Sequence, residues 1–483
     1  MGYSATAAGL DHDTAGTVLL ISANRCTIPE PVFPLGLACL NGALRAAGFQ
    51  TLWYDPQAGA GSLEELVAVR RPDFVAISLR NIDDVLIRKQ ETYFGDVATL
   101  RARLRPHTAA PVVVGGSGFS LFPEQLLALT EADFGICGPG EASLVALLTA
   151  LRQGSDYRQI PGLVYRENGV IRRNPAGPHQ PGWALDEADR PPPLAAHYLQ
   201  VSGMLNVQTQ RGCPFRCCYC TYPLIEGKRY ASRPADLVAE EFGQVQRLGA
   251  RYVFLADSVF NSSNEHVAAV CEALLRRKAG VAWGCFLRPQ GVTLEMMQLM
   301  ARAGLAHIEF GSDSFCDEVL AAYGKDFTFE DIRQASEAAR RAQVDFCHFL
   351  IAGGPGETQV TLAATFANSR ELTGAVIMAV VGMRIYPGTA LFARALAEQR
   401  ISSATDLLTP TYYLAAGLTP ELVSARLQDF ARQSPNWIVG DPDPAYLALV
   451  TRLRRRGVVG PLWSYFAMLQ RLWPQGINRA AAR

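Results

Sequence analysis

Short apolar runs alternate with helical stretches twice along this 483-residue chain, and that alternation restricts the possible folds more than any other feature. Five such runs occur within residues 17–153 and six within residues 201–390. Strands that are buried on both faces have continuous apolar sequences, and strand–helix alternation produces parallel sheets. We therefore predict an α/β fold, with a flavodoxin-like doubly wound parallel sheet followed by a partial (β/α)6 barrel.

The segments between and beyond these two series suggest the domain boundaries. An Asn168-Gly169 pair predicts a β-hairpin, and Pro178, Pro181 and the prolines at 191–193 predict an extended connector. The predicted order is an N-terminal extension (1–16), a first domain (17–153), a hairpin and Pro-rich linker (154–200), the partial barrel (201–390) and a small helical C-terminal region (391–483).

The composition narrows the class of protein. Lys and Arg number 45 and Asp and Glu number 45, so the chain lacks the basic excess of a general nucleic-acid binder. No run reaches the roughly 18 apolar residues of a membrane span, and the N-terminus has no secretory signal pattern. Eleven cysteines in such a chain indicate reduced thiols and a metal site. We expect a cytoplasmic enzyme that binds no nucleic acid and has no transmembrane segment.

Three cysteines, Cys213, Cys217 and Cys220, form a C-x3-C-x2-C triplet on a loop that follows a predicted strand. Three thiolates can bind three irons of a four-iron cubane and leave the fourth iron open to another ligand. Structural zinc normally takes four ligands, commonly in separated pairs, and the chain has no second CxxC pair. We predict a 4Fe-4S cluster and interpret Cys218 as a neighbour, because including it breaks the spacing.

Glycine-rich segments follow two strands of the first domain. Small residues at a strand end let backbone amides approach a bulky or anionic ligand, although a simple tight turn is the alternative. The first segment does not fit the G-x-G-x-x-G dinucleotide pattern. The candidate ligand-binding residues in these segments are Gly115, Gly116, Ser117, Gly118, Gly138, Gly140 and Glu141.

The cysteine loop resembles the cluster motif of radical S-adenosylmethionine (SAM) enzymes, including the aromatic Tyr219 before the last cysteine. The resemblance implies that the open iron chelates SAM and that reductive cleavage yields a 5′-deoxyadenosyl radical. It also implies an external electron donor such as flavodoxin or ferredoxin.

The first domain resembles the cobalamin-binding domains that precede the radical SAM barrel in one large subfamily. The resemblance rests on domain order, on residues 112–123 and on residues 132–141, where Pro139 departs from the usual Gly-Glu-Gly-Glu. No histidine lies in a D-x-H-x-x-G pattern, so the resemblance implies cobalamin bound without a histidine ligand. Arg80 is expected near the lower cobalt face, where it offers no lone pair. Its alternative role is an ion pair with Asp83 or Asp84.

Polar residues at predicted strand ends of the barrel match the groups that SAM presents. By resemblance, Asp257 meets the amino group, Arg288 or Arg384 the carboxylate, and Ser312 or Asp313 the ribose. Glu309 belongs to the same group, and Gly354 lies in a glycine-rich segment beside the adenosyl group. Structural ion pairs at strand ends are the alternative for each charged residue.

The combined resemblance implies a cobalamin-dependent radical SAM enzyme that methylates an unactivated carbon through methylcobalamin. Radical rearrangement, ring contraction, cyclisation or oxidation with the same cofactors remains an alternative, as does a cobalamin or iron–sulfur redox sensor. The substrate is expected to be a small molecule. The segment 452–463 resembles members linked to lipid or isoprenoid biosynthesis, although a solvated helix followed by a packed tryptophan is the more common explanation of such a stretch. The residues that catalyse the substrate step are not identifiable from the sequence.

Overall fold

The computed structural model describes residues 15–27, 30–59, 61–177, 183–440 and 444–472. Most of the predicted N-terminal extension, including His12, lies outside these residues, as do Pro178, Pro181 and the chain beyond 472. Within the described residues no helix is long and apolar enough to cross a bilayer.

The first domain is a doubly wound sheet, and the predicted fold class is confirmed. Its elements are β1 (Thr17–Ser22), α1 (Leu35–Ala46), β2 (Gln50–Tyr54), α2 (Leu63–Arg70), β3 (Phe74–Ser78), α3 (Phe94–Leu104), β4 (Val112–Gly115), α4 (Ser117–Leu121), α5 (Pro123–Thr130), β5 (Phe134–Ile136), α6 (Glu141–Gln153), β6 (Leu163–Glu167) and β7 (Val170–Arg173). The strand order is β2-β1-β3-β4-β5-β6-β7, and the first five strands are parallel. This is the flavodoxin-like order, in which ligands bind at the carboxyl ends of the strands.

The predicted hairpin forms and extends this sheet. Asn168 and Gly169 both have positive φ, at 51° and 77°, as a two-residue type I′ turn requires. Strand β6 pairs antiparallel with β5, and β7 pairs antiparallel with β6. The hairpin is therefore part of the first sheet, and the connector begins after it.

The second sheet forms the core of the barrel. The remaining elements are α7 (Pro192–Ser202), β8 (Leu205–Val207), β9 (Gln210–Arg211), α8 (Tyr222–Ile225), β10 (Ala231–Ser232), α9 (Ala235–Arg247), β11 (Tyr252–Leu255), α10 (Asn264–Arg277), β12 (Ala282–Leu287), α11 (Leu294–Arg302), β13 (Leu305–Asp313), α12 (Asp317–Ala322), α13 (Phe329–Arg341), β14 (Asp345–Ala352), α14 (Gln359–Ser369), β15 (Val376–Val381), β16 (Met383–Arg384), α15 (Ala390–Ala397), β17 (Tyr412–Tyr413), α16 (Pro420–Gln433), β18 (Trp437–Val439), α17 (Pro444–Arg455) and α18 (Leu462–Leu472). The parallel order is β8-β11-β12-β13-β14-β15-β18.

Six of these strands alternate with helices as predicted, and β8 and β18 form the two edges, so the barrel is partial. Two details differ from the expectation. The sixth strand is Val376–Val381 rather than 380–385, because Gly382 adopts a φ of +80° and ends it. The C-terminal region also adds a seventh strand, β18, to a part of the chain expected to be helical.

The two domains share a hydrophobic core. One cluster of buried side chains runs from Leu19 and Phe119 in the first domain to Val319, Met383 and Leu391 beside the barrel. Burial of apolar surface stabilises an interface roughly in proportion to the area removed from water. This continuous packing holds the carboxyl edge of the first sheet against the cysteine loop.

Candidate functional site

The cysteine loop spans residues 212–230 and is closed at its base by a short antiparallel pairing of β9 with β10. Gly212 begins the loop with a φ of +89°, and a Cβ there would overlap the carbonyl oxygen of Arg229. The Cys213 amide donates to the Gly227 carbonyl at 3.0 Å. These contacts fold the two arms of the loop together and fix the position of its first cysteine.

Cys213, Cys217 and Cys220 are free thiols on this loop. Cys213 is buried and the other two are half-buried. Burial raises the pKa of Cys213, and it raises that of Cys220 to about 12. Burial therefore disfavours the thiolates of Cys213 and Cys220, and a bound cation such as iron would favour them.

Cys218 points elsewhere, as its interpretation as a neighbour requires. Its sulfur contacts the Met383 sulfur at 3.9 Å. Its backbone amide donates to the Tyr323 carbonyl at 2.8 Å, and its carbonyl accepts from the Leu391 amide at 2.7 Å. The residue anchors the middle of the loop to two neighbouring elements.

Tyr219 belongs to a buried polar cluster at the end of β13. Its hydroxyl donates to Asp313 Oδ2 at 2.5 Å, and Lys325 Nζ lies 2.6 Å from the same oxygen. Lys325 also donates to the Gly311 carbonyl at 3.2 Å. Asp313 adopts a left-handed φ of 64°, which directs its carboxylate toward the cysteine loop. Lys325 was not identified from the sequence, and its buried ammonium is a cation that lies beside the predicted cluster.

The donor set fits an iron–sulfur cluster better than a single ion. Among the described residues no three His, Cys, Asp or Glu side chains converge closely enough to hold one metal ion. A cubane spreads its irons over several positions, so its thiolates stand farther apart than ligands of a single zinc. Three soft sulfur donors on one loop match that requirement.

A cavity of about 740 Å³ separates the cysteine loop from the carboxyl edge of the first sheet. The first domain lines it with the glycine-rich strand ends and with the loop after β3. The barrel side contributes polar and aromatic residues and two aliphatic ones near the cysteine loop. Those residues are Asn206, Gln208, Arg211, Thr221, Tyr222, Ile225, Glu226, Ala256 and Tyr386. The predicted ligand-binding residues Gly115, Gly116, Ser117, Gly118, Gly138, Gly140 and Glu141 all line this cavity.

Two glycines at the junction of β4 and α4, Gly116 and Gly118, are also required by the packing of the backbone. Gly116 has a φ of +101°, and a Cβ there would lie 2.5 Å from the Leu79 carbonyl oxygen. A Cβ on Gly118 would lie 3.1 Å from the carbonyl oxygens of Leu79 and Arg80. Both glycines are therefore needed where the loop after β3 packs against the end of β4, which agrees with the tight-turn interpretation. Both glycines also line the cavity.

Arg80 lies in this cavity, and its predicted alternative role is wrong. Its Nε donates to Asn81 Oδ1 at 2.8 Å, and no ion pair to a carboxylate is found for it among the described residues. Asp83 pairs instead with Arg384. Burial lowers the pKa of Arg80. No histidine lines the cavity within the described part of the chain, and a guanidinium offers no lone pair to a metal.

Arg211 connects the cysteine loop to the first domain, two residues before Cys213. Its guanidinium lies 2.7 Å from Glu141 Oε1 at the start of α6 and stacks 4.3 Å over the Trp183 ring. This ion pair closes one side of the cavity. No sequence pattern indicates this ion pair, because the two residues are 70 positions apart and only the tertiary fold brings them together.

Glu226 is a further cavity residue that was not identified from the sequence. Its carboxylate accepts from the Gly212 amide at 3.1 Å and from the Gln208 side chain at 3.4 Å. Burial raises its pKa. Among the described residues it has no salt-bridge partner, so it is available to a hydrogen-bond donor that enters the cavity.

Four of the predicted SAM contacts already have protein partners: Asp257, Ser312, Gly354 and Asp313, whose partners are Tyr219 and Lys325. Asp257 is buried and accepts from the Thr209 amide at 2.7 Å and hydroxyl at 2.5 Å, which supports the strand before the cysteine loop. Burial raises the pKa of Asp257 to about 7. Ser312 Oγ lies 2.8 Å from His348 Nδ1, on the side of the sheet that faces the helices. Of the two candidates for the SAM ribose, Ser312 and Asp313, Asp313 is therefore the better placed. Gly354 makes room for Tyr323, whose hydroxyl accepts from its amide at 3.1 Å.

The two arginines proposed for the SAM carboxylate differ. Arg288 lies beside the cysteine loop, with its guanidinium over the Phe215 ring and an ion pair to the largely exposed Asp326. Arg384 is buried in the β16–β17 ribbon, where it donates to Asp83 Oδ2 at 2.8 Å and to the Leu407 carbonyl at 2.7 Å. Because β15 ends at Val381, Arg384 is not at the end of a barrel strand, and its ion pair with Asp83 joins the two domains. Arg288 therefore remains the candidate for the SAM carboxylate.

Glu309 is buried at a position on β13 four residues before Asp313. It accepts from Trp463 Nε1 of α18 at 2.9 Å, and burial raises its pKa to about 7. Trp463 is itself buried, so the packed-tryptophan interpretation of the C-terminal segment is the one found. Glu309 therefore belongs with the C-terminal helix rather than with the cysteine loop.

A separate depression of about 830 Å³ lies at the amino-terminal ends of β4 and β5, lined by Arg101, His107, Phe134 and Tyr157 among others. None of the predicted cofactor residues reaches it. Ligands of doubly wound sheets bind at the opposite edge, so the interdomain cavity is the candidate site.

Comparison with known proteins identifies the two domains. Residues 21–148 match the B12 binding domain, and residues 207–367 match the Radical SAM superfamily. The chain is 27% identical over 454 residues to the tryptophan 2-C-methyltransferase of Streptomyces laurentii, covering 80% of this chain and 75% of that protein. It is 24% identical over 357 residues to the anaerobic magnesium-protoporphyrin IX monomethyl ester cyclase of Rubrivivax gelatinosus, covering 70% and 62%.

The fold has a close structural counterpart. The radical SAM methyltransferase TsrM from Kitasatospora setae, solved with cobalamin and a [4Fe-4S] cluster, superimposes with a TM-score of 0.82 at 24% identity, covering 96% of this chain and 99% of that one. The predicted fold class is that of this structure. The resemblance stated from the sequence is confirmed, because both domain families match the segments that carried it.

Proposed function

We propose that this protein, a radical SAM enzyme with a cobalamin-binding domain, transfers a methyl group from SAM to a carbon atom of a small-molecule substrate. The observation that carries the proposal is the interdomain cavity, because the cobalamin-binding strand ends and the cysteine loop line the same space. A reaction that needs both cofactors requires them to face each other across a distance that one substrate can span.

When bound, the cluster supplies the electron and the open iron that SAM cleavage needs, and cobalamin supplies a cobalt that accepts and donates methyl groups. The chain's own residues prepare the site. The three cysteines would bind the iron–sulfur cluster. The hydrogen-bonded side chains of Tyr219, Asp313 and Lys325 order the loop beside it. Arg288 is the proposed fork for the SAM carboxylate.

On the opposite side, Arg80 lines the cavity and would offer no lone pair to a cobalt bound there. The Arg211–Glu141 ion pair holds the two halves of the cavity in register. We assign Glu226 to the substrate, because it is the cavity carboxylate with no salt-bridge partner among the described residues and it can accept an N–H or O–H from a bound molecule.

An aromatic amino acid is the first substrate class to test. The support is the relative from Streptomyces laurentii, whose name gives tryptophan as its substrate and which aligns with 80% of this chain. Tryptophan also carries the N–H donors that Glu226 could accept.

The test is anaerobic incubation of the reconstituted protein with methyl-deuterated SAM and L-tryptophan, followed by mass spectrometry. A tryptophan product three mass units heavier than unlabelled methyltryptophan, with S-adenosylhomocysteine in at least equal amount, supports methyl transfer to this class. If SAM instead yields 5′-deoxyadenosine and no S-adenosylhomocysteine in the presence of tryptophan or of another substrate, the result would favour rearrangement or cyclisation.

A further inference from the structure

The segment that carries the cysteine loop has an unusual charge. The whole chain has zero net charge, yet residues 211–233 contain five basic side chains and one carboxylate. Arg211 and Arg233 are engaged with Glu141 and Glu241, and Arg288 nearby pairs with Asp326. The rest of the positive charge in this segment is at the surface.

Four exposed cations flank the loop: Arg216, Lys228 and Arg229 within it, and Arg394 on α15. We call these the loop-flanking cations. None of the four is found in an ion pair among the described residues, whereas most other arginines near the domain interface have a carboxylate partner. None of them lines the interdomain cavity. Their charge is therefore directed to solvent and not to the cofactors or substrate.

The backbone of these residues is held close to the cysteines. The Arg229 carbonyl packs directly against Gly212, the residue before Cys213. The Arg216 carbonyl packs against Gly324, one residue before the Lys325 that contacts Asp313. Arg394 lies one helical turn after Leu391, whose amide donates to the Cys218 carbonyl at 2.7 Å. The backbone at these positions therefore lies close to the cysteine loop, and the side chains that extend from it are exposed.

The loop also approaches the surface at this point. Pro214 and Arg216 are exposed, and Cys217 and Cys220 are half-buried. An electron that enters from a protein partner must arrive through a short path of this kind. A cationic rim around it attracts an acidic partner and accelerates encounter, since complementary charge raises association rates by one to three orders of magnitude.

We propose that the loop-flanking cations form the docking surface for an acidic one-electron carrier protein that reduces the cluster. The surface concerns delivery of the electron, so it stands whether the downstream reaction is methyl transfer or another radical reaction. Carboxylates around the carrier's redox centre would pair with the four cations, and the bound pair would place that centre over the exposed part of the loop.

The experiment measures reduction of the reconstituted cluster by stopped flow, with flavodoxin hydroquinone as the probe. The variant is the triple charge reversal Arg216→Glu, Lys228→Glu and Arg229→Glu. The matched control is Arg70→Glu, Arg152→Glu and Arg302→Glu, three exposed arginines on α2, α6 and α11 for which no ion pair is found among the described residues. Both variants change the net charge equally.

The proposal predicts that the loop variant is reduced by flavodoxin about tenfold or more slowly at low ionic strength and loses the salt dependence of the wild type. The control variant behaves like the wild type. Photoreduced deazaflavin, a small neutral reductant that needs no docking, reduces all three proteins at equal rates, which shows an intact cluster. Unchanged flavodoxin rates in the loop variant, or equal slowing in the control, would overturn the docking surface.

Discussion

Arg80 carries the main residue-scale question in the cobalamin-binding domain, because it lies in the cavity without a carboxylate partner among the described residues. A guanidinium offers no lone pair, so Arg80 would add no ligand to a cobalt bound in this cavity. The charge and shape of this side chain therefore matter for how the cavity would hold a cobalt-containing cofactor.

Replacing Arg80 with histidine tests this placement directly. Arg80→His should add a nitrogen ligand to cobalt(II), visible as nitrogen splitting in the electron paramagnetic resonance spectrum of the cobalamin-loaded protein. Arg80→Met, which removes the charge and adds no nitrogen, should show no splitting. A histidine variant with the wild-type spectrum would place Arg80 away from the cobalt.

Other residues at this scale show why local motifs were predictable and tertiary roles were not. The three cysteines and the glycines are contiguous in the chain, and their spacing alone indicates their chemistry. Lys325, Glu226 and Arg211 acquire roles only through contacts with distant residues. The sequence places Arg384 at a predicted strand end, where the resemblance makes it one of two candidates for the SAM carboxylate, whereas the positive φ of Gly382 moves it into a separate ribbon.

Among the elements, the β16–β17 ribbon joins the domains through Arg384. The side chains of Arg384 and Asp83 are 3% and 1% exposed, so their ion pair is fully desolvated. Removing one partner of a buried pair leaves an uncompensated charge and costs about 3–5 kcal/mol.

Asp83→Asn should therefore destabilise the protein far more than a matched surface variant. Asp96→Asn removes the carboxylate of the Arg25–Asp96 pair, in which Arg25 is 55% exposed, and should cost no more than about 1 kcal/mol. Thermal unfolding of the two variants gives the comparison. Equal midpoints would show that the buried pair does not hold the domains together.

The strand–helix elements could be predicted because buried parallel strands are continuous apolar runs of four residues or more. Strands β1, β3, β11 and β15 contain such a run, whereas β5 and β8 are only three residues long and are indicated by their place in the regular strand–helix alternation. Strand β18 is only three residues long and lies between helices, so it has no distinct pattern. The sixth strand was shifted because apolar residues continue past Gly382, and only the backbone conformation shows where pairing ends.

At the scale of the whole molecule, helices α17 and α18 contact both the barrel and the first domain. Trp463 of α18 donates to Glu309, and Arg454 of α17 pairs with Glu30 from the first domain. Burial raises the pKa of Glu309 to about 7 and that of Glu30 to about 8. Three distant parts of the chain therefore meet around two carboxyl groups that resist ionisation.

These raised pKa values predict that stability falls with rising pH. Between about pH 4.5 and 7 the unfolded chain releases a proton from Glu309 that the folded protein retains, so unfolding becomes more favourable as pH rises. Glu309→Gln keeps an oxygen for Trp463 and removes the titration. The variant should gain up to about 3 kcal/mol relative to wild type at pH 8 and almost nothing at pH 4.

Thermal unfolding of wild type and Glu309→Gln across this pH range provides the measurement. Glu226→Gln is the matched control in a carboxylate that lines the open cavity, and its effect should be smaller. A difference between Glu309→Gln and wild type that does not change with pH would show that Glu309 is ionised in the folded protein.

The central claim is that the three loop cysteines hold a cluster that cleaves SAM in a site shared with cobalamin. The most direct measurement is 5′-deoxyadenosine formation by the anaerobically reconstituted and reduced protein, comparing wild type, Cys217→Ala and Cys218→Ala. Cys218 is adjacent in sequence, and its sulfur contacts Met383 instead. We predict that 5′-deoxyadenosine forms in the wild type and in Cys218→Ala and is abolished in Cys217→Ala, together with the cluster absorbance. Equal activity in Cys217→Ala and Cys218→Ala would contradict the account.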